Sequence, residues 1–144
     1  MKVSLSWLKD YIDIQMDAAD LADALTMAGL EVDSVSNRYA YLKTVFVGRV
    51  AEVSPHPNAD KLTICTVDAG DRSCKVVCGA PNVCAGMLAP MALPGTVLPD
   101  GTQLKKSVIR GETSEGMLCS EKELGLGIDG SGILALDPSL EVGD

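Results

Sequence analysis

The hydrophobic positions at the start of the chain recur at helical spacing. They predict a short helix over 4–13, which Ser4 or Ser6 can cap by accepting a hydrogen bond from a free amide of the first turn. The apolar face of this predicted helix consists of Trp7, Leu8, Tyr11 and Ile12.

A second helix is predicted over 17–28, with Asp17 as its N-cap and Gly29 where a left-handed residue commonly ends a helix. Its predicted buried stripe consists of Leu21, Ala24, Leu25 and Ala28. Partial alternation over 30–36 then predicts a half-buried strand. This helix–helix–strand unit, residues 1–39, is too small for a core of its own and must pack on something else. The polar and aromatic segment 37–43 is the best candidate for the joint to the rest of the chain.

From residue 44 onward the pattern changes to short β runs between turn sequences rich in Pro, Gly, Asn and Asp. The predicted strands are 45–53, 62–69, 73–79, 87–93, 104–111 and 132–136. One helical turn, 120–127, interrupts them, with Ser120 and Glu123 as a capping box. Closely spaced short strands predict a small closed barrel or a sandwich. The order is compatible with an OB-fold-type five-stranded barrel over 40–144, although the pattern alone does not choose among small barrels.

Composition adds that the predicted core is aliphatic, because only 3% of the residues are aromatic whereas 47% are hydrophobic. No apolar run approaches the roughly 18–20 residues that span a bilayer, and the start lacks the apolar core of a signal peptide, so we expect no membrane and a cytoplasmic location. The odd count of five cysteines indicates reduced thiols, and their spacing does not fit a zinc knuckle. We therefore expect no metal site.

Catalysis by this chain alone is not predicted. The only histidine, His56, lies in the proline-rich stretch 55-PHPNADKL-62, a poor place to hold an imidazole against a nucleophile. Neither a nucleophile elbow nor a phosphate-binding glycine loop after a strand is present. We interpret residues 58–61 as a turn between the first two barrel strands, which Asp60 and Lys61 can fix by pairing with each other.

Nucleic-acid binding is the function that small barrels of this kind often have, by means of a basic groove and stacking platforms. The net charge of −8 argues against tight RNA binding by the chain as a whole, so a local patch is required. The basic candidates are Arg49, Lys61, Lys75, Lys105, Lys106 and Arg110, and the stacking candidates are Tyr39, Tyr41, Phe46 and His56. The alternative is that these lysines form an ordinary solvated face.

Four ordered blocks carry a resemblance to a known module. They are 55-PHPNADKLTICTVDAG-70, 76-VVCGAPNVCAG-86, 94-PGTVLPDG-101 and 108-VIRGETSEGMLCSEKELGL-126. Together they resemble the tRNA-binding OB domain shared by several synthetases and their helper proteins. The opening, MKVSLSWLKDYIDI followed by ADLADALTMAGLEVDSV, resembles the start of the β subunits of bacterial phenylalanine–tRNA ligases. These subunits are several times longer, so the resemblance implies an N-terminal fragment.

The resemblance implies more than the residues themselves show. Such ligases join phenylalanine to its tRNA with ATP and magnesium as α2β2 tetramers, and their catalytic site belongs to the α subunit. It therefore implies a noncatalytic fragment without a cofactor, whose partners are tRNA, the α subunit and the rest of β. Because the N-terminal unit would normally pack on later β-subunit segments, we expect exposed apolar surface around Trp7 and Leu8.

Carried onto this sequence, the motif residues fall into two kinds. Those that suit turns and close approaches are Asn58, Asp60, Pro81, Asn82, Gly95, Gly111, Gly116 and Gly125. The candidate RNA contacts are His56, Lys61, Arg110, Ser114, Met117 and Ser120. Glutamates 112, 115, 121 and 123 crowd the last of these and would weaken phosphate binding. Two alternatives stay open: a structural domain for subunit assembly without RNA affinity, and a stand-alone tRNA-binding protein.

Overall fold

The computed structural model describes residues Met1–Asp144, which divide into two compact units, Met1–Arg38 and Tyr39–Asp144. The helices are α1 (Leu5–Lys9) and α2 (Ala18–Met27), and a 3₁₀ helix spans Ala40–Thr44. The strands are β1 (Val45–His56), β2 (Ala59–Asp68), β3 (Ser73–Cys78), β4 (Leu88–Ala92), β5 (Ser107–Ile109), β6 (Glu112–Ser114) and β7 (Met117–Leu118).

The predicted caps of both N-terminal helices are confirmed. The Ser4 hydroxyl accepts a hydrogen bond from the Trp7 amide at 3.4 Å, and the Asp17 carboxylate accepts from the Ala19 and Asp20 amides at 2.9 Å each. Both side chains therefore satisfy amides that have no partner within the first helical turn. The first helix is shorter than predicted, because regular helical geometry ends at Lys9.

The first unit lacks the strand predicted over 30–36, and that prediction is wrong. A strand needs a neighbour to satisfy its backbone groups, and this unit contains no second strand. The buried stripe of α2 is also only partly formed, since Leu21 and Leu25 are half-buried while Ala24 and Ala28 are exposed. Trp7 is 54% exposed, which agrees with a unit too small to cover its apolar face.

The second unit contains an antiparallel five-stranded sheet in the order β3-β2-β1-β4-β7. β1 lies at its centre and pairs with both β2 and β4, for instance Val50 with Val67 and Val47 with Pro90. The sheet curls round until its ends meet, where the Glu115 amide donates to the Lys75 carbonyl at 2.8 Å. The prediction of a mainly β fold with five barrel strands is confirmed, and β5 and β6 form an additional hairpin.

The barrel core is aliphatic and thiol-containing, as the scarcity of aromatic residues predicts. Its largest fully buried side chains are Met91, Leu124, Val50, Val67, Val76, Thr96, Cys65 and Cys119. Inward-facing residues alternate along β3, where Cys74, Val76 and Cys78 are buried while Ser73 and Lys75 are exposed. This alternation fixes the register of β3, because a slip by one residue would expose its apolar side chains.

Three predicted elements differ in the structure. The run 104–111 is no single strand, because the chain reverses at Arg110 and Gly111 to form the β5–β6 hairpin. The run 132–136 is not a strand either. The Leu134 amide donates to the Cys119 carbonyl and the Leu136 amide to the Leu88 carbonyl, so the run does not pair with a single neighbouring strand. Residues 120–127 form turns rather than a regular helix.

The predicted capping box within those turns is confirmed. The Ser120 amide donates to the Glu123 carboxylate at 2.7 Å, and the Glu123 amide donates to the Ser120 hydroxyl at 3.3 Å. The box holds a single turn, in which the Leu124 amide reaches the Ser120 carbonyl at 3.2 Å. Leu124 is thereby placed in the core.

Candidate nucleic-acid interface

The tip of the β1–β2 hairpin, residues 56–62, is tighter than the sequence predicts. His56 pairs with Ala59, so the turn itself contains only Pro57 and Asn58, and residues 59–61 belong to β2. Pro55 pairs with Thr63, which leaves residues 60–62 unmatched in a bulge. Bulges redirect side chains away from the regular ladder. Lys61 is exposed at the centre of this bulge.

The tip of the β5–β6 hairpin, residues 109–112, contains a backbone conformation that is rare for a large side chain. Arg110 has φ 52° and Gly111 has φ 91°, as a two-residue type I′ turn requires. Gly111 tolerates this region without cost, whereas an arginine there loses about 1–2 kcal/mol to a steric clash of its Cβ. Arg110 is the only non-glycine residue of the chain with positive φ, and its side chain is exposed.

The two tips are joined by His56 and Asn58. The backbone amide of Asn58 donates to Nδ1 of His56 at 3.0 Å. Because Nδ1 accepts this bond, the ring carries its proton on Nε2, which donates to the Ile109 carbonyl at 3.0 Å. The Asn58 side chain adds a bond to the Arg110 carbonyl at 3.0 Å. His56 is only 5% exposed. Its ring therefore connects two hairpins and has no free nitrogen to offer a ligand.

The charges around the joined tips are partly neutralised. Lys75 pairs with Glu112, and Lys106 pairs with Glu115 at 2.7 Å. The pKa of Glu112 is lowered mainly by its hydrogen bond from Lys75 and, to a smaller extent, by the positive charge of Lys75. The pKa of Glu115 is lowered mainly by its hydrogen bond from Lys106. Both carboxylates are therefore firmly ionised near neutral pH.

Lys61 and Arg110 are different, because no ion pair holds either of them. The predicted pairing of Asp60 with Lys61 is wrong, since the two side chains form no ion pair: both residues lie in the bulge and are exposed to solvent. Two free cations thus occupy the two joined tips.

The remaining candidate contacts lie deeper. Ser114 is buried, and its hydroxyl accepts from the Val77 amide at 3.0 Å and donates to the Gly116 carbonyl at 2.9 Å. Ser120 is buried in the capping box. Met117 is half-buried and, with Ser120, lines a cleft of about 350 Å³. The structure thus brings His56, Lys61 and Arg110 together at the tips and places Met117 and Ser120 along the cleft.

Sequence reasoning missed the link that Asn58 makes to the second hairpin, because a contact across 52 residues leaves no local signal. It also counted Tyr41 among the stacking candidates, but its hydroxyl donates to the Leu124 carbonyl at 2.7 Å. Tyr41 is half-buried, and Tyr39 is the only aromatic residue of the second unit among the exposed large hydrophobic residues. No group of three or more His, Cys, Asp and Glu side chains is arranged to hold a metal ion.

These features define a small antiparallel β barrel with two exposed cations on its joined hairpin tips, and small barrels of this class often bind nucleic acids. The chain belongs to the family described as "Putative tRNA binding domain", which matches residues 45–144.

Relatives in whole proteins are also similar to this chain. It is 51% identical over 144 residues to the "Phenylalanine--tRNA ligase beta subunit" of Syntrophus aciditrophicus, covering 100% of this chain and 18% of that protein. It is 49% identical to the protein of the same name from Rhodospirillum rubrum, covering 99% of this chain and 18% of that protein. The predicted resemblance to these β subunits is confirmed, and the chain spans 18% of their length.

Two solved structures have a similar fold. The "MetRS related protein from Pyrococcus horikoshii" matches with a TM-score of 0.55 at 18% identity, covering 76% of this chain and 95% of that one. The "C-terminal Domain of Plasmodium vivax p43" matches with a TM-score of 0.50 at 25% identity, covering 69% of this chain and 56% of that one. The OB-fold-type barrel is thereby confirmed. None of the helices has the length and apolar character needed to cross a membrane.

Proposed function

We propose that this chain is a noncatalytic part of a phenylalanine–tRNA ligase β subunit and that its barrel contacts tRNA during charging. The observation that carries the proposal is the pair of unpaired cations, Lys61 and Arg110, on two hairpin tips that His56 and Asn58 hold together. Membership in the tRNA-binding family and the similarity to β subunits support the same reading.

In this proposal the six candidate residues have different roles. Lys61 and Arg110 contact phosphates, since both are exposed and free of carboxylate partners. His56 positions them by joining the tips. Ser114 and Ser120 shape the neighbouring segment through their hydrogen bonds, and Met117 offers an apolar surface at the cleft.

Backbone contact fits this surface better than base reading does. Sequence reading of single strands relies on aromatic platforms, and few exposed aromatic side chains are available on the barrel. Phosphate contacts by two cations give modest, salt-sensitive binding. The barrel would therefore orient tRNA weakly, while the rest of the β subunit and the α subunit supply further contacts.

The chemistry of charging is assigned elsewhere in the full ligase. The residues of this chain do not fit a magnesium site, because no group of acidic or other ligating side chains is arranged for a metal. The buried serines are committed to structural hydrogen bonds, and the single histidine has no nucleophile beside it. We therefore propose that ATP and magnesium act in the assembled α2β2 enzyme in the cytoplasm and not on this chain.

The test is tRNA binding by the purified chain across a salt series. We expect the logarithm of the affinity to fall linearly with the logarithm of salt concentration, and the double variant Lys61→Ala/Arg110→Ala to weaken binding and reduce the slope by about 2. The matched control is Lys2→Ala/Lys9→Ala, which removes the same charge from the other unit. An equal loss in both double variants would contradict the assigned contacts.

A second candidate function is a structural barrel for subunit assembly without RNA affinity. The observation that favours it is the neutralisation of Lys75 and Lys106 by Glu112 and Glu115, which removes two cations from the same surface. Absence of tRNA binding even at low salt would support this candidate and overturn the first.

A further inference from the structure

Two cysteines lie on the same face of two neighbouring strands of the barrel, β2 and β3. In the β2–β3 ladder Thr63 lies opposite Cys78, and Cys65 lies opposite Val76. Because side chains alternate along a strand, these four residues share one face of the sheet. Cys65 and Cys78 are therefore diagonal neighbours, a relation in which side chains are within reach of each other.

The surroundings of the two thiols are unequal. Cys65 is fully buried, and its sulfur lies 3.8 Å from the Thr63 hydroxyl. Cys78 is 8% exposed, and its sulfur accepts a hydrogen bond from the Ala80 amide at 3.4 Å. The proximity of the two thiols favours a negative charge on Cys78 rather than on Cys65, which lowers the pKa of Cys78 below its ordinary value and raises that of Cys65. A thiolate at Cys78 is therefore stabilised by the Ala80 amide and by the neighbouring Cys65 thiol.

A route to Cys78 is provided by the cleft of about 350 Å³, which Cys78 lines together with Ser120 and Glu123. The other buried cysteines lack this combination. Burial raises the pKa of Cys119 to about 12, and burial is the largest cause that raises the pKa of Cys74. Cys84 is exposed and so serves as an internal reference for a thiol without a partner across the sheet.

We propose that Cys65 and Cys78 are an oxidative modification site, in which a small peroxide entering the cleft oxidises Cys78 and Cys65 then closes a disulfide between β2 and β3. The carrying observation is the placement of two thiols on one face of adjacent strands, with one of them lining an open cleft.

The chemistry balances with hydrogen peroxide as the oxidant. The Cys78 thiolate attacks one peroxide oxygen, an S–O bond forms, the O–O bond breaks, and the departing hydroxide takes a proton from solvent to give water. The Cys65 sulfur then attacks the sulfur of the Cys78 sulfenic acid. An S–S bond forms, the S–O bond breaks, and the hydroxide leaves with the Cys65 proton as a second water. The two thiols supply the two electrons that reduce the peroxide.

The experiment treats the chain with hydrogen peroxide, blocks remaining thiols with iodoacetamide under denaturing conditions, and measures intact mass and tryptic peptides. Trypsin leaves Cys78 and Cys84 on one peptide, because no lysine or arginine lies between them. The Cys84→Ser variant removes that ambiguity. In it we expect the loss of two hydrogen atoms, two fewer alkylated cysteines, and a linked pair of peptides containing Cys65 and Cys78, all reversed by dithiothreitol.

Two further variants test the order of events. Cys65→Ala removes the resolving thiol, so a sulfenic acid at Cys78 should persist and react with dimedone, whereas Cys78→Ala should give neither product. Circular dichroism confirms that each variant is folded, and the peptide map of the Cys84→Ser protein decides the matter if one is not. Free Cys65 and Cys78 after Cys84 has been fully oxidised in the wild-type chain would overturn the proposal, as would a linkage that uses Cys84.

Discussion

Nε2 of His56 lies 3.0 Å from the carbonyl oxygen of Ile109, and this hydrogen bond joins two hairpins whose residues are 53 positions apart. The other ring nitrogen accepts from the Asn58 amide. The histidine therefore stabilises the arrangement in which Lys61 and Arg110 share one surface, and its contribution to binding is indirect.

Replacing His56 by alanine should destabilise the barrel. The change removes a buried side chain that makes two hydrogen bonds, to the Ile109 carbonyl and from the backbone amide of Asn58, and each such bond contributes about 0.5–1.5 kcal/mol. We expect the free energy of unfolding in urea to fall by about the sum of these two contributions. The control is Lys61→Ala, an exposed change that should stay within about 0.5 kcal/mol. Equal stabilities of the two variants would show that the ring does not hold the tips.

Substitution of Arg110 should change the stability of the fold and the binding of tRNA in opposite directions. Arg110→Asn keeps the left-handed turn with a residue that favours it, so we expect unfolding to require about 0.5–1 kcal/mol more free energy. The same change removes a phosphate contact and should lower the salt slope of tRNA binding by about 1. Arg110→Ala is the matched comparison, because it loses the same charge but keeps the strain. A stabilised variant with undiminished binding would remove Arg110 from the contact set.

The barrel strands can be predicted from local sequence, because each strand has its own hydrophobic run and each turn its own characteristic residues. The three strands from β1 to β3 and the strand β4 lie where the hydrophobic runs place them. The capping box of Ser120 and Glu123 was also readable, since both partners are three residues apart. Such features depend on neighbours in sequence, which a single sequence displays.

Features that depend on contacts between residues far apart in the chain cannot be predicted from the sequence in this way. The run 132–136 has a strand-like composition, yet its amides bond to two separate segments, so its state depends on where the barrel closes. The role of His56 likewise depends on the Ile109 carbonyl, which reaches it only after β5 and β6 have folded back. The pairing of Lys75 with Glu112 joins different strands and decides which cations remain free.

Gly116 should tolerate no side chain. A Cβ there would lie 2.8 Å from the Ala92 carbonyl oxygen and 2.8 Å from the terminal methyl of Met91. The backbone oxygen cannot move without disturbing β4, so we expect Gly116→Ala to cost about 1–3 kcal/mol in thermal or urea unfolding. Gly79→Ala is the control, because its Cβ would meet only the flexible end of Leu62 at 3.2 Å. A smaller loss at Gly116 than at Gly79 would contradict the contact.

Glu112 and Glu115 should weaken tRNA binding, because each neutralises a lysine on the proposed tRNA surface. The double variant Glu112→Gln/Glu115→Gln releases Lys75 and Lys106, so tRNA affinity should rise and the salt slope should steepen by up to about 2. The control is Asp33→Asn/Glu31→Gln in the first unit, which changes net charge equally without freeing a barrel lysine. The same gain in both variants would indicate a general effect of net charge and contradict a specific effect of releasing Lys75 and Lys106.

The Lys75–Glu112 pair should make stability depend on acidity in a defined window. The hydrogen bond from Lys75 lowers the pKa of Glu112 below its ordinary value of 4.5. Because the pKa is lower in the folded chain than in the unfolded chain, the pair stabilises the fold above that value, and the stabilisation is lost as pH falls through the lowered pKa. Glu112→Gln mimics the protonated side chain. The difference in urea stability between wild type and this variant should therefore be constant from about pH 7 to about pH 5.5 and shrink below about pH 4.5. A difference that is the same at all pH values would show that the pair does not contribute through its charge.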